Sequence, residues 1–272
     1  GRVHLVHTDK LSFDQYKNPE AQILNGNVAF YHQGAELYCD SAHFYEKSNS
    51  FEAFGDVRMF QGDTLSLFSD YAFYDGNEQM AQVRYDVVLK HRETTLYTDS
   101  LNYDRILNVG YFFNGGRLVD NTAELTSDWG EYNTSTKIAI FNYDVRLKDN
   151  QSVLLSDTLH YNTALSEAHV VGPSNLTSGS SHIYSEDGYY NTKTEKARLY
   201  SRSVVRDGAK VIVADTLLHD VKAGTSEGFV NVEYNDTVNQ NIFKCDYFWY
   251  DDSIGYARAT RKALAIDYSQ GD

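Results

Sequence analysis

The sequence predicts an all-β protein, an elongated array of bent antiparallel strands made from about nine two-strand repeats of 29 residues. Three observations carry that expectation. First, a nine-residue pattern, clearest as LLSDTLHYN from Leu154 to Asn162, recurs along the chain. Aligned on its acidic residue, it falls at Asp9, Asp40, Asp70, Asp99, Asp128, Asp157, Glu186, Asp215 and Asp246, at intervals of 31, 30, 29, 29, 29, 29, 29 and 31 residues. Second, 22 Tyr and 14 Phe stand against only two Pro, a composition of strands. Third, turn signals fall twice in each repeat, which leaves room for two strands and no helix.

Within the motif, the residue three before the acid is Val6, Leu37, Leu67, Leu96, Leu125, Leu154, Ile183, Ile212 or Phe243, apolar in every unit. The residue just before the acid is small: Thr8, Cys39, Ser69, Thr98, Ser127, Ser156, Ser185, Ala214 or Cys245. Four residues after it stands Phe13, Phe44, Tyr74, Tyr103, Tyr132, Tyr161, Tyr190, His219 or Tyr250, and Asp or Asn follows in every unit except at Tyr45. That acid or amide is a turn signal, because its short side chain bonds its own backbone. A second turn precedes each motif, as at Gln33-Gly34, Gln61-Gly62-Asp63, Asp149-Asn150 and Asp207-Gly208. Between the turns, segments such as GNVAFY, GDVRMF and YDVRLK alternate as a second strand, while Gly115-Gly116 and Gly172-Pro173 predict local bulges.

The motif also predicts a bend. Side chains alternate along a strand, so the apolar residue three before the acid and the aromatic four after it would face opposite sides of a flat sheet. Both are retained in every unit, and a bend or bulge near the small residue reverses the parity and turns both inward. Two readings of the acid then stand open: a carboxylate that caps backbone amides freed at the bend, or a row of cation ligands.

Composition limits the function classes. The net charge of −14 argues against nucleic acid, whose backbone calls for a basic face. No run reaches the roughly 18 apolar residues that a membrane-spanning helix needs. The uninterrupted repeat predicts a single domain over 1–272, read as a mature chain whose signal peptide has been removed. Cys39 and Cys245 hold the same place in distant units, beyond disulfide reach, and read as small buried residues. The nine His are scattered without metal-ligand spacing, and no nucleophile and base or phosphate loop stands out. The expectation is no enzyme, no catalytic residues, no metal and no cofactor.

At Gly26-Asn27-Val28 with Gly34, Leu37, Asp40, Ala42 and Tyr45, and again at Gly55-Asp56-Val57 with Gly62, Leu65, Asp70, Ala72 and Tyr74, the chain resembles the OstA-like family. Its periplasmic member bridges the inner and outer membranes in lipopolysaccharide transport. The resemblance implies strands bent across the molecule around an apolar groove that shields acyl chains. It implies a periplasmic location, with lipopolysaccharide or a related lipid as partner. End-to-end strand pairing with other OstA-like components, or head-to-tail with copies of itself, is also implied. The later repeats lack the Gly-Asn-Val signature, so a soluble N-terminal domain of an outer-membrane lipopolysaccharide translocon stays open.

The candidate groove follows from the bend. Leu37, Leu67, Leu96, Leu125 and Leu154 form one inner row, and Tyr74, Tyr103, Tyr132, Tyr161 and Tyr190 another. Between them Ala72, Leu101, Gly130 and Leu159 form a third row whose small members leave space. At about 0.8 kcal/mol per buried methylene, a fourteen-carbon chain there gains roughly 10 kcal/mol before ordering costs. A dry sealed core in a structural or adhesive repeat is the rival reading of the same rows. A polysaccharide-acting parallel β-helix is disfavoured, since two turns in each repeat indicate hairpins.

Overall fold

Each motif strand changes face at its acidic residue. In the strand Leu65–Asp75, Leu65, Leu67 and Ser69 are buried, Asp70 is exposed, and the next buried residues are Ala72 and Tyr74. Pairing is interrupted there on both sides, between Phe54 and Val57 on one neighbour and between Phe68 and Tyr71 toward the other. Asp70 thus sits in no rung of the ladder, and the alternation restarts one residue out of phase. This is the bend that the parity of the motif requires.

A computed structural model describes residues 1–269, where every regular element is a strand. The expected 1–272 domain ends on positions 270–272, which lie outside the described residues. Of twenty-four strands, twelve run through a bend in one piece, among them Ala35–Tyr45 and Thr94–Asp104. The other twelve are halves, two by two, of six more, such as His4–His7 with Lys10–Asp14, giving the eighteen strands of nine hairpins.

The second strand of each repeat bends by a device that the sequence pattern left undetected. Two successive residues take left-handed backbone angles: Gly26 and Asn27 (φ 81° and 49°), Gly55 and Asp56 (75° and 43°), Tyr85 and Asp86 (68° and 50°), Tyr143 and Asp144 (67° and 52°), Val230 and Asn231 (62° and 53°). Gly115, Gly172 and Ser201 hold the same place, with φ of 86°, 90° and 61°. The bulge expected at two glycine sites is therefore a property of the repeat. Glycine takes this conformation freely, but Tyr85, Tyr143 and Val230 take it against steric preference.

The strands fall into two compact units, one over 1–121 and 126–139, the other over 122–125 and from 140 onward. In the first, neighbouring rungs align Phe30, Leu37, Met59, Leu67, Leu89, Leu96 and Leu118 on the wall before the bend. On the wall after the bend they align Phe44, Phe51, Tyr74, Ala81, Tyr103, Gly110 and Tyr132. The second unit repeats the scheme, with Leu154, Leu176, Ile183, Val205 and Ile212 on one wall and Tyr161, Ala168, Tyr190, Ala197 and His219 on the other. From Tyr74 onward, a motif aromatic alternates with a small residue from the second strand, which gives each ring room to lie flat in the interior. The walls of each unit face one another: Phe30 stacks on Phe51 with ring centroids 4.1 Å apart, and Tyr234 on Phe248 at 4.9 Å.

Candidate functional site

All the residues read as a groove lining are buried. In the first unit these are Leu37, Leu67, Leu96, Ala72, Leu101, Gly130, Tyr74, Tyr103 and Tyr132; in the second, Leu125, Leu154, Leu159, Tyr161 and Tyr190. Side chains fill the space between them. A void of about 20 Å³ lies among Leu154, Leu176, Ile183 and Tyr190, and one of about 10 Å³ among Phe30, Leu37, Phe51 and Tyr74. Either holds at most about one water, far below the roughly 300 Å³ at which ligand pockets begin.

The bend is held by the small residue before the acid, through its hydroxyl or thiol. Thr8, Cys39, Ser69, Ser127, Ser156 and Ser185 each donate to the carbonyl two residues on, at 3.0, 3.2, 3.0, 2.8, 2.8 and 2.8 Å. The bond spans the acid and satisfies a carbonyl that the broken ladder leaves free. Serine, threonine and cysteine in one recurring position were the signal for it. Burial pushes the Cys39 thiol up to about 12, so it acts as a donor and packing group.

The acids take several roles on the outside of the bend. Asp99 and Asp246 face the amides of Asp86 and Asn231 at 3.4 Å, so the predicted backbone capping is present but long. Asp9 and Asp215 accept instead from the side-chain amides of Asn27 and Asn231 at 2.8 and 2.7 Å. Asp246 also pairs with Lys262 at 2.9 Å, which holds its carboxyl below the usual range together with the Asn231 amide. Among the described residues, no three His, Cys, Asp or Glu side chains converge on a cation position.

The free rims of the walls carry a third set of residues. On the aromatic wall, Asp75, Asp104, Asn133, Asn162 and Asn191 each accept from the amides two and three residues on at 2.8–3.1 Å, which closes the predicted turns. On the other wall, the last inward position before the turn is polar: His32, Gln61, His91 and Asp149 follow the inward Phe30, Met59, Leu89 and Leu147. The hydroxyls of Tyr103 and Tyr161 lie against Thr134 and Thr192 of their own rim at 3.5 and 3.3 Å, whereas those of alternate tyrosines reach across. Tyr74 lies 2.7 Å from His32 Nδ1, Tyr132 2.8 Å from His91 Nδ1, and Tyr190 donates to Asp149 Oδ2 at 2.6 Å. Lys210 donates to Tyr250 and, at 2.9 Å, to Asp252.

The densest crossing centres on Arg105, which is 8% exposed and sits in a turn of the aromatic rim. It donates to Tyr74 Oη at 2.7 Å, Gln61 Oε1 at 2.9 Å, and the carbonyls of His32 and Gln33 at 3.1 and 2.9 Å on the opposite rim. Tyr74 therefore accepts from Arg105 and gives its own proton to His32 Nδ1, which leaves His32 Nε2–H to donate to the Gly1 carbonyl at 3.2 Å. This network requires a neutral imidazole. Burial lowers the His32 pKa, and the Arg105 charge and His4 push it the same way. Burial also lowers those of His91 and His219, and raises those of Tyr74 and Tyr190.

Sequence reasoning missed the rim residues. The legible signal was a polar side chain, recurring at repeat spacing, where alternation calls for an inward apolar one.

These features define a class: an antiparallel array bent around an apolar interior, with polar rims and a hydroxyl-locked bend. A family profile described as OstA-like protein matches residues 1–157 and, in an overlapping second match, 143–215. The chain belongs to the OstA-like family. Among curated proteins, none matches. Among solved structures, a similar one is LptH of Pseudomonas aeruginosa, described as the LptA-homologous periplasmic component of the lipopolysaccharide transport device. It is 11% identical, with 53% of this chain and 93% of that chain covered and a TM-score of 0.26.

Proposed function

We propose that this OstA-like chain is a non-enzymatic lipid carrier of the periplasm, which shields the acyl chains of lipopolysaccharide between its walls on the way to the outer membrane. The observation that carries this is the inward turn of both apolar rows in the repeats after the first, whose Val6 and Phe13 stay exposed at the edge; it gathers Leu67, Leu96, Tyr74 and Tyr103 in one unit and Leu154, Leu159, Tyr161 and Tyr190 in the other. Partners of the same kind join it through its edge strands. Lys10–Asp14 pairs only with Asn18–His32, and Leu264–Asp267 only with Asn241–Asp251, among the described residues. Each edge leaves backbone groups for another OstA-like strand or a second copy, with Leu11, Phe13, Leu264 and Ile266 exposed beside them.

The small voids favour a second reading, a structural repeat with a permanently sealed core. Photo-crosslinking to purified lipopolysaccharide separates the two. A photoreactive residue at Tyr103, Tyr132 or Tyr161 is expected to capture the lipid, while the exposed turn residue Asn150 does not. Folded protein that gives no adduct at any interior position would support the sealed core.

A further inference from the structure

We propose that the polar seam along the rims is a lateral gate: acyl chains enter between the walls by release of the tyrosine-to-rim bonds. This rests on the carrier reading and specifies how its interior becomes accessible. Three observations lead to it.

The first is that the two voids described between the rows, of about 20 and 10 Å³, are too small for a chain. A carrier with this interior must open, and the walls of each unit are continuous with each other only through the bend. The bend is locked by local bonds from Thr8, Ser69, Ser127 and their equivalents. The rims are the edges left to part.

The second is the chemistry of the rims. The interior rows are apolar, yet where the walls meet again the buried groups are His32, His91, Arg105 and Asp149. Apolar residues would close the rims at lower desolvation cost. A polar seam differs in the open state: water takes over the bonds of a parted Arg, His, Asp or Tyr, whereas parted apolar rims would expose surface to it. Polar closure is therefore reversible closure.

The third is that the ties run between walls and not along one. Tyr74 to His32, Tyr132 to His91, Tyr190 to Asp149 and Tyr250 to Lys210 join residues 42, 41, 41 and 40 positions apart in sequence, and Arg105 to the His32 carbonyl spans 73. Each crosses from the aromatic rim to the opposite one. The segment Gly1–Val3 lies in the same seam, with the Val3 amide on Asn49 Oδ1 at 2.7 Å and the Gly1 carbonyl on His32.

The test bridges the seam covalently. In a Cys39→Ser, Cys245→Ser background, which keeps the donor at the Cys39 bend, His32→Cys and Tyr74→Cys are joined by a bifunctional maleimide. Capping each thiol singly with N-ethylmaleimide gives the unbridged control. Lys210→Cys with Asp252→Cys makes the same bridge in the second unit, at positions 30% and 44% exposed. Thermal unfolding confirms that each form is folded. The probe is a dansyl-labelled undecanoic acid, whose emission rises in an apolar interior, followed by stopped flow.

Bridged protein is expected to take up the probe at least about tenfold more slowly than its capped control, and Tyr132→Phe, which frees one tie, to take it up several-fold faster than the parent. Equal uptake by bridged and capped forms overturns the gate and leaves the carrier standing. Uptake by none of the forms, the unmodified protein included, rejects the carrier and the gate with it.

Discussion

The ridge of the bend and the seam of the rims are the two places where these strands leave regular pairing, and they are built on opposite principles. At the ridge, repeat after repeat uses one solution: a small donor bonded two residues ahead, an exposed acid, and left-handed residues on the neighbouring strand. At the rims the chemistry of the tie varies, with His32 and His91, then Asp149, then Lys210 as partners of equivalent tyrosines. The ridge answers a backbone problem that every repeat shares. The rims answer a pairing problem between walls, which any complementary polar pair can solve.

That contrast is open to test, and the rim offers the largest effect. Arg105→Ala would leave Tyr74, Gln61 and two rim carbonyls without their donor in a buried seam. The expected loss is about 3–5 kcal/mol in urea unfolding, since several buried acceptors lose their partner at once. A loss below about 1 kcal/mol would mean that water already serves these groups.

At the ridge, Gly55→Val would force a β-branched residue into φ of 75° with its Cβ 2.6 Å from Asp40 Oδ2. A loss of about 2–3 kcal/mol is expected. The mirror experiment is Val230→Gly, which removes a β-branched residue from φ of 62°. Stability should rise by about 1 kcal/mol. A loss there instead would show that the Val230 side chain contributes more than its strain costs.

The smallest expected effect is on pH dependence, and it belongs to the rims. His32 and His91 in the first unit and His219 in the second all sit below the ordinary value, chiefly through burial. Cationic neighbours, Arg105 for His32 and Arg92 and Lys137 for His91, add to the shift. A folded value below the unfolded one means that the unfolded chain binds more protons. Their contribution is therefore full above about pH 6.5 and drains as the pH falls below it toward the depressed values. The urea midpoint should drop between pH 7.5 and 5.5, and less so in His32→Gln, His91→Gln protein. Asp236 and Asp252, held below the usual carboxylate range, stay ionised over that interval and do not mask the change. An equal drop in the double variant would place the sensitivity outside the seam.

Much of the fold was legible because it is local. The 29-residue repeat, the turns after Asp104 and Asn133 and the reversal of parity at Asp70 are written in residues a few positions apart, where alternation and side-chain-to-backbone bonds operate. The inward rows followed from that parity. The donor role of Ser69 and Ser127 was also written locally but read only as small size. The left-handed pair escaped notice because Tyr85, Tyr143 and Val230 are not residues that announce positive φ.

By itself, then, the sequence determined the repeat, the bend and which side chains face inward, because each depends on spacing within one strand. Tertiary structure alone decided how far the walls close and which rim residues meet. Tyr74 finds His32 across 42 residues, and Arg105 finds the same residue's carbonyl across 73, through the way one wall folds over the other. No periodicity within a repeat encodes that offset, because it is set by packing between the walls.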